Sequence, residues 1–361
     1  MGGEPSDKGA ISPERPEVGA AGYYLWPLAW IASPPDGVRP GAEPGTGPPA
    51  VDLRQLAEVV AETSLPQDLR AHVSRDGLFA FDFSRWAPYL AEHLALGTGF
   101  DSLANRVLRR TALMNAHLAC LYTALVRVQH HHVDPMCVTP GSMFPMRSLE
   151  AGAQGIPNPL LGYLLNARYE STYPTGYLVA GDVRIALRTL IETPTVEESF
   201  RLLTEVLNHP SSDRALELAG LLVRSAAALF DHDYNLGLIT AWAVIESLLQ
   251  ELWEGYIEDN RHREIEDAQV SFINAGRKER LTGRDITASL KAEMLSLLDR
   301  LPFELYGKLS SVRVARNKWI HDLEPVPAST SEMAMQVAEE MLRLVKGLDL
   351  EMPKARRIRV L

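Results

Sequence analysis

Apolar and polar residues alternate most regularly in the last third of the chain. From about Asn235 to Ile257, apolar residues recur at spacings of three and four, which predicts a helix with one buried face. Comparable spacings predict helices over residues 212–230, 285–299, 302–320 and 331–348, and a polar loop with a short helix over residues 258–284. Because the connections between these helices are short or moderate, residues 212–350 are predicted to form an antiparallel helical bundle.

The middle of the chain, residues 51–209, is predicted to be a mostly helical domain with long loops. Helical spacing occurs over residues 51–63, 100–130, 180–192 and 196–208, whereas residues 134–177 are rich in Pro, Gly, Ser and Thr. The sequence His209-Pro210-Ser211-Ser212 interrupts the helical pattern, and we place a domain boundary there. The predicted fold class is therefore mainly α.

The two ends of the chain differ from the rest in composition. Residues 1–50 contain nineteen Gly and Pro, which predicts a largely flexible segment. Within it, the aromatic patch from Tyr23 to Ile31 is predicted to be a strand packed on the protein body, with an RNA-stacking platform as the alternative. Residues 351–361 form a short basic tail, either a solvated end or a set of additional phosphate contacts.

The overall composition narrows the classes of function. A net charge of −10 argues against a general nucleic-acid coat, although it leaves room for one local basic pocket. With only Cys120 and Cys137, no disulfide scaffold is expected, and two thiols suit a reducing cytoplasm. We expect no membrane span, because no run of about 18 uncharged apolar residues occurs. No phosphate-binding loop and no zinc-protease motif are found, so no cofactor and no metal are expected.

The segment from Val312 to Asp322 contains the residues best suited to catalysis. Its Arg316 and His321 are five positions apart, which places them about 140° apart on a helix. They would converge if the helix ended near Ile320 and His321 folded back. Arginine holds a phosphate through paired hydrogen bonds, and histidine exchanges protons near neutral pH. The pair therefore suits cleavage of a phosphodiester bond.

These residues resemble the motif of the HEPN superfamily (higher eukaryotes and prokaryotes nucleotide-binding). The resemblance consists of Arg316 followed by Asn317, of His321 four residues further on, and of their place near the end of a helical bundle. The upstream segment LGLITAWAVIESLLQELWEGY, which contains Glu246, resembles the acidic, aromatic-rich helix of such domains. The resemblance covers roughly residues 212–350, and it implies a HEPN-type antiparallel helical bundle.

The resemblance also implies roles for individual residues. Many HEPN proteins are metal-independent endoribonucleases that dimerise so that two Arg/His pairs face each other in one cleft. Arg316 would then bind the scissile phosphate, and His321 would act as general base or acid while a 2′-hydroxyl attacks. Asn317 would orient this pair, and Glu246 would be the supporting acidic residue.

Each of these residues also has a structural interpretation. His321 would interact favourably with the dipole at the end of its helix. Arg316 would form a surface ion pair with Asp322 or Glu324, which contributes little to stability. Glu246, at the margin of an apolar face, needs a partner, and an arginine of the motif segment is the candidate.

The remaining residues of the segment are candidates for RNA contacts. Lys318 and Arg313 are predicted to contact RNA, although Lys318 is also typical of a solvated surface charge. Trp319 is interpreted as a core or dimer-contact residue rather than a base-stacking one. Two signals outside the segment are treated as incidental: the run of histidines at residues 130–132 as a metal site, and Arg110 with His117 as a second HEPN-like pair.

The sequence therefore predicts a HEPN-type endoribonuclease that cleaves RNA as a cytoplasmic homodimer. Relatives that act in phage defence or in toxin systems imply a regulatory or antitoxin partner for such an enzyme. The alternative is a non-catalytic HEPN module that binds a nucleotide or a partner protein.

Overall fold

The structure, a computed structural model, describes residues 19–25, 29–34, 55, 57–86, 100–130, 133–146, 148–149, 189–265, 268–283 and 285–354. This part of the chain is mainly helical. Its helices are α1 (Phe100–Ala124), α2 (Thr193–Asn208), α3 (Ser212–Phe230), α4 (Tyr234–Asp259), α5 (Ala275–Thr282), α6 (Ala288–Leu297), α7 (Phe303–Asp322) and α8 (Ala328–Lys346). Its strands are β1 (Ala20–Tyr24), β2 (Ala29–Ile31), β3 (Val59–Leu65), β4 (Leu69–Ser74), β5 (Leu78–Asp82), β6 (Phe144–Met146), β7 (Thr189–Ile191), β8 (His262–Ile265) and β9 (Ala268–Ser271).

The first half of the described chain contains an antiparallel sheet that the sequence analysis missed. The strand order is β3-β4-β5-β1-β6, while β2 pairs in parallel with β7. The described members of the aromatic patch pack on the body as predicted, because β1 and β2 are fully buried; residues 26–28 lie outside the described residues. The rest of residues 1–50, predicted to be flexible, lies largely outside the described residues.

The prediction of a helix over residues 51–63 is wrong for the part of this range that the structure describes. Val59–Leu65 is a strand at the edge of the sheet, paired with β4. The spacing of its apolar residues fits both a helix and a strand. Its β-branched residues favour the strand, and backbone pairing with β4 stabilises it. Likewise, Thr189–Ile191 is a strand and not the end of a helix, and residues 180–188 lie outside the described residues.

The helices of the last third of the chain form a packed bundle, as the spacing of apolar residues predicts. Helix α4 lies at its centre, with α3 and α8 packed against it. By length and composition α4 is also the one described helix that could span a membrane, but half of its apolar window is buried inside the protein. Its apolar residues are therefore accounted for by core packing.

The hydrophobic core continues across the turn at residues 209–211, where the sequence predicts a domain boundary. One cluster of buried side chains extends from β1 to Met352, and α1 packs directly against α3. Residues 347–354, here called the C-terminal strap, add to this connection. The amide of Glu351 donates to Thr123 of α1 at 2.9 Å, and Arg127 donates to the carbonyl of Asp349 at 3.0 Å. The first residues of the predicted basic tail are therefore docked, and residues 355–361 lie outside the described residues.

His117 is a fully buried histidine of α1, and it belongs to the core rather than to a site. Its Nδ1 lies 2.7 Å from the hydroxyl of Tyr23, and its Nε2 lies 3.2 Å from Oγ of Ser199. The rings of Phe79 and Phe200 pack on it. Burial lowers the pKa of His117 to about 3, because the charged imidazolium loses its hydration. The interpretation of Arg110 and His117 as an incidental pair fits this burial.

We expect the folded state to lose stability at acidic pH because of His117. The unfolded chain takes up a proton below about pH 6.5, whereas the folded chain does so only near pH 3, so the free energy of unfolding falls as the pH falls through this window. Between pH 6.5 and 5 this amounts to about 2 kcal/mol. Urea denaturation of the wild type and of His117→Phe at both pH values measures it.

The comparison with His117→Phe isolates the histidine from other titrating groups. Burial raises the pKa of Glu339 to about 7, which acts in the opposite direction because its stabilising effect is lost as the pH rises. This contribution is common to both proteins and cancels in the difference. Equal pH dependence of the two proteins would contradict the assignment to His117.

Candidate functional site

Helix α7 carries the predicted motif and remains helical through its last residues, up to Asp322. Leu305, Leu309 and Val312 form its buried face, and the helix ends at Leu323, whose φ of 54° is left-handed. His321 therefore lies in the last helical turn, and the condition under which Arg316 and His321 would converge, a helix end near Ile320, is not met. On one chain, Arg316 and His321 stay about 140° apart around the helix axis.

Arg316 lies on the side of α7 that faces α4. Its guanidinium carbon is 5.9 Å from the centre of the Trp242 ring, and its Nη1 donates to Oδ1 of Asn317 at 3.0 Å. Its Nε is shielded from solvent and has no hydrogen-bond partner among the described residues. Within the described chain no carboxylate forms an ion pair with Arg316, so the ion pair with Asp322 or Glu324, the structural alternative for this residue, does not form. The guanidinium keeps donors for an external anion.

Glu246 is linked to Arg316 through Trp242 rather than by an ion pair. The indole Nε1 of the buried Trp242 donates to Oε2 of Glu246 at 3.0 Å, four residues along α4. The prediction that an arginine of the motif segment pairs with Glu246 is therefore wrong. Glu246 is exposed, and its carboxylate accepts the single indole N–H of the ring on which Arg316 lies.

Asn317 joins the two ends of the motif. Arg313, Asn317 and His321 follow at spacings of four, so they form one row on the helix surface. The hydrogen bond from Arg316 to Asn317 brings the guanidinium to this row. The row places one histidine, one amide and one guanidinium group on one side of the end of α7, and the hydrogen bond to Asn317 links the guanidinium of Arg316 to this row from the side that faces α4.

The other motif residues have ordinary surroundings. Lys318 is exposed and its Nζ lies 3.1 Å from Glu324, which matches the interpretation of a solvated charge. Trp319 is partly buried and packs against the core, in line with the structural interpretation of that residue. His321 is exposed, in the last turn where a cation interacts favourably with the helix dipole.

The outward face of α7 carries an uncharged stripe that leads to His321. Its members are spaced alternately by four and three residues: Phe303, Gly307, Ser310, Val314, Asn317 and His321. Phe303 is 81% exposed and Val314 is 46% exposed. A hypothetical Cβ at Gly307 would meet no atom within 4 Å. This stripe is about 27 Å long and lies opposite the buried face of the helix.

The run of histidines at residues 130–132, treated as incidental in the sequence, is described only at its first residue. His130 is exposed and its Nδ1 lies 3.2 Å from the carbonyl of Val126, while residues 131 and 132 lie outside the described residues. Among the residues that the structure describes, no group of three or more His, Cys, Asp and Glu side chains is arranged to hold a metal ion.

Comparison of the chain with models of protein families, with curated proteins and with solved structures finds no match. The HEPN resemblance therefore depends on α7 and on the helix around Glu246. Sequence reasoning missed Trp242 as a member of the site. The signal for it was its position, four residues before Glu246 on the same helix face.

Proposed function

We propose that the end of α7 is the cleavage site of a metal-independent, HEPN-type endoribonuclease. The observation that supports it most is the state of Arg316. Its guanidinium lies over Trp242 with a solvent-shielded Nε and no carboxylate partner among the described residues, and it donates to Asn317, one turn before His321. A fixed cation with unused donors suits binding of a phosphodiester, and an exposed imidazole near the end of the same helix suits proton transfer during its cleavage.

The chemistry assigned to these residues is an internal attack by the ribose. His321 removes the proton of the 2′-hydroxyl, and the oxygen attacks the neighbouring phosphorus while the bond to the 5′-oxygen breaks. The leaving oxygen takes a proton from an imidazolium, and the products are a 2′,3′-cyclic phosphate and a 5′-hydroxyl. Arg316 binds the phosphate oxygens and stabilises the negative charge that develops on them.

We further propose that the enzyme is a homodimer in which the uncharged stripes of two α7 helices pack in parallel. Spacings of four and three are typical of helix pairs, and the small residues Gly307 and Ser310 let two backbones approach. A polar residue such as Asn317 at a seam position specifies the register. Parallel packing brings the two His321 side chains to one end, so that one could act as base and the other as acid.

Disruption of this stripe should separate the dimer. We expect Val314→Asp to give a monomer and to lose RNA cleavage, because burying an unpaired carboxylate in the seam is unfavourable. Leu344→Asp is the matched control, since Leu344 is 41% exposed on α8, away from the stripe. Light scattering after size exclusion measures the mass of each variant. A monomeric wild type, or equal masses for the two variants, would contradict the dimer.

Cleavage itself is tested with wild-type protein and total cellular RNA in the presence of a chelator. The proposal predicts fragments that end in 2′,3′-cyclic phosphates. Fragments with 3′-hydroxyl ends, or cleavage that requires an added divalent metal, would contradict it. In the cell, such an enzyme would serve in phage defence or in a toxin system, with a regulatory or antitoxin partner.

A non-catalytic binding module is the second candidate. The observation that favours it is that His321 has no hydrogen-bond or ion-pair partner among the described residues to orient its ring, and stays far around the helix from Arg316. In that case Arg316→Ala should weaken binding of RNA or of a partner, and no RNA should be cut. Binding assays on the same variants separate the two candidates.

A further inference from the structure

A groove between α1 and α3 lies away from the motif on α7. It encloses about 460 Å³ and is floored in part by the small residues Ala112 and Gly220. This volume lies in the range of pockets that bind small organic molecules. The groove lies where the sheet-containing part of the protein meets the helical bundle, since α3, one wall of the groove, also packs against α4.

One of the cations that line the groove has no carboxylate partner among the described residues. Asp213 pairs with Arg109 at 3.3 Å, and Glu217 pairs with Arg214 at 2.7 Å. Both carboxylates of the lining are therefore already neutralised by arginines. Arg224 also lines the groove, is exposed, and forms no ion pair with any described residue. The lining itself holds two arginines and two carboxylates, and with Arg214 outside it the local surplus is one positive charge, at Arg224, which favours an anionic ligand.

The neutral part of the lining provides a different kind of contact. Asn105 lines the groove and makes no hydrogen bond to a described residue, so its amide has a donor and an acceptor to offer. Asn115, by contrast, is a structural residue, since its amide bonds both the N–H and the carbonyl of Val138 at 2.7 and 2.9 Å. Leu108 and Leu221 add apolar surface between the polar groups.

We propose that this groove binds a nucleoside 5′-phosphate. Arg224 binds the phosphate through charge-assisted hydrogen bonds. The amide of Asn105 pairs with the edge of the base, as asparagine does with a donor and an acceptor presented side by side. The ring and sugar cover the apolar side chains. The assignment rests on α1 and α3 alone and does not depend on RNA cleavage at α7.

The test is calorimetric titration of the full-length protein with adenosine 5′-monophosphate, and separately with adenosine and with inorganic phosphate. The nucleotide is expected to bind more tightly than either fragment. Arg224→Ala should weaken nucleotide binding about tenfold or more, because a charge-assisted contact is lost. Asn105→Ala should weaken binding of the nucleotide but not of inorganic phosphate.

Arg280→Ala is the matched control, since Arg280 is an exposed helix arginine of α5 that forms no ion pair with a described residue. This variant is expected to leave the affinity unchanged. Circular dichroism should show wild-type-like folding for all three variants. Absence of nucleotide binding by the wild type at millimolar concentration would overturn the proposal. Equal affinities for Arg224→Ala and Arg280→Ala would overturn it as well, because the nucleotide would then bind elsewhere.

Discussion

Replacing His321 by alanine is expected to lower the rate of RNA cleavage by about 10²- to 10⁴-fold, which is the usual contribution of a general acid or base. The fold should not change, because the His321 side chain is exposed and contacts no hydrogen-bond partner among the described residues. RNA binding should also persist, since Arg316 is untouched. Initial cleavage rates on a labelled RNA measure the effect, and a filter-binding assay measures the affinity.

His262→Ala is the matched control for this experiment. His262 is also an exposed histidine, but it lies on the β8–β9 hairpin beyond the far end of α4. Its removal should leave the cleavage rate unchanged. If His321→Ala cuts RNA as fast as His262→Ala does, the imidazole on α7 takes no part in the chemistry.

Replacing Trp242 by alanine is expected to lower the free energy of unfolding by about 3–5 kcal/mol, as for other large buried side chains. Trp242 is only 4% exposed, and its removal would leave a cavity under Arg316 and free Glu246. The milder Trp242→Phe keeps an aromatic ring but loses the bond to Glu246. Because a smaller ring without that bond supports Arg316 less closely, cleavage should fall about tenfold to 100-fold.

Trp253 provides a control of the same residue type in the same helix. It is also 4% exposed, and its Nε1 donates to the carbonyl of Leu281 at 2.8 Å, but it does not contact the motif. Trp253→Ala should destabilise the protein to a similar extent, while Trp253→Phe should leave the cleavage rate unchanged. Urea denaturation and initial rates distinguish the two positions. Equal losses of cleavage for the two Phe variants would exclude a positioning role for Trp242.

The helices of the bundle could be predicted because their apolar spacing is long and regular. The helix predicted from Ser212 to Phe230 has those bounds in the structure, and α4 extends the predicted helix by only a few residues. The sheet could not be found in the same way, because its strands are short and most are buried on both faces. The C-terminal strap escaped prediction for another reason. Its docking depends on Thr123 and Arg127, which are more than two hundred residues away in sequence.

The candidate site was predictable in its residues but not in its geometry. Arg316, Asn317 and His321 stand out by residue type and spacing, whereas their contacts depend on where α7 lies against α4. The sequence suggested an ion pair for Glu246 because a carboxylate near an apolar face needs a partner. The structure provides that partner as the indole of Trp242, one helical turn away. Local geometry at the end of α7 likewise follows from the left-handed cap at Leu323, which no residue type there announces.

One pair of substrates tests whether α7 carries a site for cleavage by 2′-hydroxyl attack. An RNA oligonucleotide that the wild type cuts is compared with a twin that lacks only the 2′-hydroxyl at the cleaved position, both in the presence of a chelator. We expect the RNA to be cut and the twin to stay intact. Cleavage of the twin at the same position and at the same rate as the RNA would contradict it.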